Sequence, residues 1–310
     1  MKNICDEKTS EQKPYLKPLK ILFLVFIYFL IYIFFEFFVF AFLYFTSASY
    51  IKEDIKKYGV KMVLDIIDFK DENYENYIHK PIFVKNSKKP AITIFGCSLG
   101  YAGDENLFAS DLSKLTKRTV YNYSIPGTGP QMMYYAIEKG KINDDSDTYI
   151  YVYISDHELR SCKFRCTHFL DFVLPKYNLK NDNSLKIEYP NLFQKMSFIY
   201  RAWEFVFPIY YKNGKYSADV FYNLVMQSFQ KLKEKNKNIR FIILNYSEIP
   251  TENFPFLEEF NNVGIEVVSA NDLTSQNMLQ EKYYNSPTDM HPNDVAWDMV
   301  SKKLVKKCGL

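Results

Sequence analysis

The strongest pattern in this chain is an interruption of pattern: from Ile21 to Phe45 there are 25 residues with one ionisable side chain, Glu36, between polar flanks. At ~1.5 Å rise per residue, a helix over this stretch covers the ~30 Å hydrocarbon core of a bilayer with tilt to spare. One transmembrane helix is predicted. Ser47-Ala48-Ser49 would suit a cleavage site, but a secretory apolar region usually runs to only about 7 to 15 residues, so length favours an uncleaved anchor. Lys2, Lys8, Lys13, Lys17 and Lys20 precede the span, and Lys52, Lys56, Lys57 and Lys61 follow it. The small excess on the leading side places the N-terminus in the cytoplasm and the main domain on the extracytoplasmic, periplasmic side. Glu36 reads as a tolerated acid or one that faces a second copy of the helix.

Beyond the span, Ile51, Ile55, Met62, Ile66 and Ile67 fall near helical spacing until the polar run Lys70 to Asn76, which predicts a helix close to the membrane. From Pro90 onward, compact apolar runs of strand length alternate with helical stripes. The strands are expected at Ala91 to Phe95, Thr119 to Tyr123, Thr148 to Ile154, Arg240 to Tyr246 and Ile265 to Ser269. The stripes are Leu107, Phe108, Leu112 and Leu115; Met132, Met133 and Ile137; and Val220, Leu224, Met226, Phe229 and Leu232. A last helix starts at Asn293, a good N-cap, with Asp294 in its first turn and Val295, Ala296, Met299, Val300 and Leu304 inward. Such alternation predicts an α/β domain: a parallel sheet covered on both faces by helices, with its chemistry outside the carboxyl ends of the strands. Residues 160 to 215 break the rhythm, and the aromatic run from Phe198 to Tyr211, with Trp203, reads as a core-packing helix. The expected organisation is a tail over 1–20, the span over 21–45, a connector over 46–89 and the α/β domain over 90–310.

Composition adds mainly exclusions. A chain of 310 residues that is 47% hydrophobic and 24% charged is not wholesale disordered. A net charge of +3 without a basic cluster gives no reason to expect a nucleic-acid partner. The five cysteines form no disulfide framework. Cys162 and Cys166 could make one local bridge in an oxidising compartment, or join His168 as metal ligands, but a fourth ligand is not evident. No metal and no cofactor are expected. Gly127-Thr128-Gly129 has Met132 where a dinucleotide fingerprint needs its third glycine, and no Gly-Lys-Ser/Thr follows the first strand.

Three groups could do chemistry. Gly96-Cys97-Ser98-Leu99-Gly100 follows the first strand in a tight turn that would lift the Ser98 hydroxyl at the sheet's carboxyl edge. Asp289-Met290-His291-Pro292-Asn293 puts an acid and an imidazole in a loop just before the last helix. A serine needs a base to take its proton, and the base needs an acceptor that fixes its tautomer. Between them lie Asn122-Tyr123-Ser124-Ile125-Pro126-Gly127 and Ile154-Ser155-Asp156-His157.

In order and spacing these four blocks resemble the SGNH (GDSL-like) hydrolase family, over about residues 91 to 307. The resemblance implies a flavodoxin-like three-layer α/β/α sandwich with a five-stranded parallel sheet. It makes Ser98 the nucleophile, His291 the base and Asp289 its orienting acid, with the oxyanion held by Ser98, Gly127 and His157. The sequence departs from the family in four places: Cys97 replaces Asp, Ser155 and His157 replace Gly and Asn, and the acid precedes the histidine by two positions, where the family often has three. Cys97 would rival Ser98 as nucleophile if its thiol were exposed. His79 and His168 read as structural. The resemblance implies a membrane-anchored serine esterase or O-acyltransferase whose partners are an acylated, mainly acetylated, carbohydrate substrate and the lipid around its helix. The alternatives are a catalytically silent binding module and a lipase acting at the membrane surface.

Overall fold

The computed structural model describes residues 16–46, 78–85, 87–103, 105–162, 175–191, 193–194, 197, 199–200, 203, 214–287 and 289–310. The chain begins with α1 (Leu16–Thr46), whose stretch Pro18–Phe42 is long and apolar enough to cross a membrane and is not buried against the rest of the protein. The expected helix over residues 51–67 lies outside the described residues, as do Cys166, His168 and most of the aromatic run.

The domain then runs β1 (Ala91–Phe95), α2 (Ser98–Tyr101), α3 (Leu107–Thr116), β2 (Val120–Asn122), α4 (Pro130–Glu138), β3 (Ser146–Tyr153) and α5 (His157–Arg160). A hairpin of β4 (Lys176–Leu179) and β5 (Leu185–Glu188) follows, then α6 (Gly214–Lys235), β6 (Arg240–Asn245), α7 (Leu257–Val263), β7 (Ile265–Ser269) and α8 (Ala270–Thr274). A second hairpin, β8 (Tyr284–Ser286) with β9 (Asp289–Pro292), leads into α9 (Asp294–Cys308).

The five main strands form one sheet in the order β2-β1-β3-β6-β7, every pairing parallel. This is the flavodoxin-like order, so the protein has the three-layer sandwich implied by the resemblance. Because side chains alternate across a strand, each strand feeds two cores. Ile92, Ile94, Ile150, Val152, Ile242 and Leu244 pack with Phe108 and Leu112 of α3 and with Trp297, Val300 and Leu304 of α9. Phe95, Tyr149, Tyr151, Tyr153, Phe241 and Ile243 pack with Met132, Met133 and Ile137 of α4 and Phe221, Phe229 and Leu232 of α6. Burial on both faces explains the near-continuous apolar strands. The outer strand β2 is capped by Ile82, which exchanges two backbone hydrogen bonds with Val120 (2.9 and 3.0 Å) and so shields an open sheet edge.

Several expectations need correction. Leu115 and Val295 point outward at 39% and 53% exposure, while Trp297, absent from the expected inward face, is fully buried. Trp203 is 48% exposed, so it is not a core residue. Asp289 to Pro292 is a short strand rather than a loop. Glu36 accepts hydrogen bonds from within its own chain, at Ser197 and Ile199, which match the acid inside its apolar stretch.

Candidate functional site

The parallel sheet sends every strand's carboxyl end to one edge, and the four sequence blocks meet there. Phe95 ends β1, and Gly96-Cys97 turn the chain so that Ser98 is the first residue of α2. Ser98 is half-buried, and as a first-turn residue its N–H lacks an intrahelical acceptor. Cys97 is fully buried; its thiol packs inside the domain, which removes it as an exposed rival nucleophile.

The second block is tied to this turn. The Ile125 N–H donates to the Gly96 carbonyl at 3.1 Å, and Thr128 Oγ1 reaches the same oxygen at 3.5 Å while donating to the Ile125 carbonyl at 2.8 Å. Asn122 Nδ2 donates to the Gly100 carbonyl (2.8 Å) and to Asn106 Oδ1 (2.7 Å), while its Oδ1 accepts from the Ser124 N–H (3.0 Å). Gly100 is required by close approach, because a Cβ there would lie 2.5 Å from Ser124 Oγ. Gly127 has φ +74°, a left-handed conformation that favours glycine. Among the described residues its N–H has no acceptor.

The acid and base come from β9. In extended backbone, residues i and i+2 share a face, which places Asp289 Oδ1 2.5 Å from His291 Nδ1; the same oxygen accepts the His291 N–H at 3.2 Å. Asn285 Nδ2 donates to the other carboxylate oxygen at 3.1 Å, and Ser286 Oγ accepts the Asp289 N–H at 3.0 Å. Partial burial pushes the Asp289 carboxyl up, but the His291 and Asn285 hydrogen bonds outweigh it and hold the group below its ordinary range. With Nδ1 occupied by the carboxylate, Nε2 is the atom left to accept a proton. Strand β9 packs against α2, so the Asp289–His291 pair and the Ser98 turn are neighbours. Behind the pair, Asn293 caps α9 by accepting the Ala296 N–H at 3.0 Å.

His157 occupies a different setting. It is fully buried, its ring lying against those of Tyr151 and Tyr153 at centroid distances of 5.4 and 5.9 Å. Nδ1 is 2.6 Å from the Tyr151 hydroxyl and 3.4 Å from the Ile154 N–H. Since that N–H can only donate, Nδ1 is the acceptor and Nε2 carries the proton, with no partner among the described residues. Burial first, and then the Arg160 cation, push this imidazole well below its ordinary range. The unfolded chain therefore takes up a proton near pH ~6.5 that the folded chain refuses until lower pH. This stability contribution is whole above about pH 6.5 and is lost as pH falls below it. Between pH ~7.5 and ~5.0, wild type should lose more stability than His157→Gln in denaturant unfolding; parallel pH profiles would contradict the buried neutral ring.

Arg160 was not legible as part of the site. It is buried, donates from Nη1 to the Thr128 carbonyl at 3.2 Å and pairs through Nη2 with Asp156 Oδ2 at 3.3 Å. It thereby clamps the third block to the Gly127–Gly129 loop. A Cβ on Gly129 would lie 3.3 Å from Arg160 Cβ, so that glycine serves close packing. The only sequence signal was the i, i+4 spacing of Asp156 and Arg160. His79 stacks on Tyr101 at 3.7 Å and bonds to its carbonyl through Nε2 at 2.9 Å, a structural role for the connector. Among the described residues no group of three or more His, Cys, Asp or Glu side chains is arranged to hold a metal ion.

Fold and site together define a doubly wound α/β protein with a hydroxyl, an imidazole and a carboxylate at one sheet edge. No family model and no curated protein matches the chain. Solved structures similar to it include a protein assigned to the G-D-S-L lipolytic family from Desulfitobacterium hafniense, with 10% identity over 70% of this chain and 99% of that one, TM-score 0.41. An acetyl xylan esterase from Butyrivibrio proteoclasticus matches at 12% identity over 74% of this chain and 66% of its own, TM-score 0.41. The periplasmic domain of a lipopolysaccharide acetyltransferase from Salmonella Paratyphi A matches at 12% identity over 86% and 100%, TM-score 0.38. The likeness is one of chain course, and the chemistry must be read from this chain's own residues.

Proposed function

We propose that this protein is a membrane-anchored serine esterase or O-acyltransferase acting on acyl, chiefly acetyl, esters of extracytoplasmic carbohydrate. The observation that carries this reading is the Asp289–His291 pair at 2.5 Å on a strand packed against the Ser98 turn. In the proposed reaction Ser98 Oγ attacks the ester carbonyl while His291 Nε2 takes its proton, and Asp289 stabilises the imidazolium. The Ser98 and Gly127 N–H groups receive the developing oxyanion, with His157 Nε2–H as the proposed third donor. His291 returns the proton to the leaving sugar hydroxyl, and the acyl group remains on Ser98. Water, or a hydroxyl of a second sugar, then attacks with His291 again as base. The α1 helix holds the domain at the membrane.

Covalent labelling by a fluorophosphonate tests the reading, because only an activated serine attacks phosphorus and expels fluoride. Wild-type protein in detergent should label at Ser98 and release acetate from a small acetyl ester, and Ser98→Ala should do neither. A silent binding module has one observation in its favour, the full burial of His157 where the side-chain donor should open to substrate. Absence of labelling in folded wild-type protein would decide for that module.

A further inference from the structure

Glu36 is the one acid in the apolar stretch Pro18–Phe42, and it is occupied. Ser197 Oγ donates to its Oε1 at 2.5 Å, the Ile199 N–H donates to its Oε2 at 3.2 Å, and the Tyr32 hydroxyl donates from one helical turn away. Taking α1 as a bilayer span, as the proposed function does, Glu36 sits about 9 Å along the helix from the Phe42 end. Whatever bonds to it shares that depth. Backbone at that depth has no water to satisfy it, and several N–H groups here are satisfied internally. Asn191 N–H donates to Gln194 Oε1 (2.8 Å), Gln194 N–H to Asn191 Oδ1 (2.9 Å), Ser197 N–H to the Phe193 carbonyl (2.8 Å) and Tyr200 N–H to Ser197 Oγ (3.0 Å).

The side chains left outward are of the kind that favours a membrane interface. Tyr189, Phe193 and Trp203 are 54%, 51% and 48% exposed, and Phe193 packs on both Tyr32 of α1 (6.4 Å) and Tyr200 (6.0 Å). Aromatic rings of this type concentrate at headgroup level, and surface-lying segments bury their apolar faces about 5–10 Å into the headgroup–acyl boundary, the depth that Glu36 imposes. We propose that the side chains of Tyr189, Phe193 and Trp203 lie in the headgroup–acyl boundary beside α1, held there by Glu36 as an intramembrane clasp. The partner of this surface is the lipid bilayer, and the domain is seated on the membrane at two points instead of one.

The chain's two tryptophans make the test direct. Trp297 is buried in the domain core, so bromine in the lipid reaches only Trp203. The full chain is reconstituted in vesicles of phosphatidylglycerol and phosphatidylcholine, the latter brominated near the headgroup end or near the terminal methyl of its acyl chains. Shallow bromines should remove about half of the Trp203 emission, matching the depth of interfacial segments, and deep bromines less. Trp203→Phe should abolish the effect, and Glu36→Leu and Ser197→Ala should each weaken it. Undiminished quenching in both Glu36→Leu and Ser197→Ala would overturn the clasp. Equal emission in brominated and plain vesicles, from protein that resists carbonate extraction, would overturn the inference while leaving the span intact. Release of the protein by carbonate would overturn the span and, with it, the inference.

Discussion

Ser98→Ala and His291→Ala should each lower kcat for a small acetyl ester by about 10⁴- to 10⁶-fold, and the double variant should be no slower than the worse single one. In the proposed mechanism neither group acts alone. A serine hydroxyl without a base is a weak nucleophile at neutral pH, and an imidazole without the serine has no proton to take. Once either is gone, what remains is substrate binding and the N–H donors at Ser98 and Gly127, which both single variants retain. Asp289→Asn should cost about 10⁴-fold by the same logic, because an amide facing His291 Nδ1 at 2.5 Å can turn its donor toward the ring and favour the wrong tautomer. KM should change little in all of these. Steady-state kinetics on the three singles and the double decides the matter, and losses that multiply between Ser98 and His291 would separate the two residues mechanistically.

The two-residue spacing of Asp289 and His291, a departure from the family pattern, takes its meaning from the backbone that carries it. In the short strand β9 that spacing puts both side chains on one face, whereas a loop would leave their relation open. The strand itself was not legible. Asp-Met-His-Pro has little β propensity, and it is extended because Ser286 pairs with Asp289 and Tyr284 with Pro292. By contrast β1 and β7 stand at the expected bounds, since strands buried on both faces have no polar alternation to blur their ends. The hairpin β4–β5 shows the opposite case: Leu185 to Glu188 is largely half-buried and mixed in polarity, so its pairing is decided by the partner strand.

Contacts between distant segments escaped for a different reason. Arg160 on Thr128 and Ser197 on Glu36 are single side-chain meetings with no periodicity to announce them. Helix phase was misread where any apolar residue was taken as inward. On α9 the buried face is Ala296, Trp297, Val300, Ser301, Leu304 and Cys308, so a polar residue lies inside it and Val295 outside.

Trp297 is where that misread face carries the largest stability effect. Its ring is fully buried, stacks on Phe108 at 4.6 Å and tilts against Tyr246 at 5.3 Å, so it joins α9 to α3 and to the end of β6. Trp297→Ala should cost about 3–5 kcal/mol, since neighbours this tightly packed collapse only partly into the space. For a domain of this size that lowers the melting temperature by roughly 6 to 20 °C. Among the described residues the indole Nε1–H has no acceptor, and Trp297→Phe, which keeps an aromatic face toward Phe108, should retain most of the stability. The effect reaches the site because α9 starts at the Asn293 cap, directly after the strand that carries His291. Below its own melting temperature, Trp297→Ala should therefore lose esterase activity through kcat while still labelling slowly with fluorophosphonate, as an intact but loosened Asp289–His291 pair requires. A variant that melts with wild type would show that α9 is held by its other contacts and that the indole is a bystander in the core.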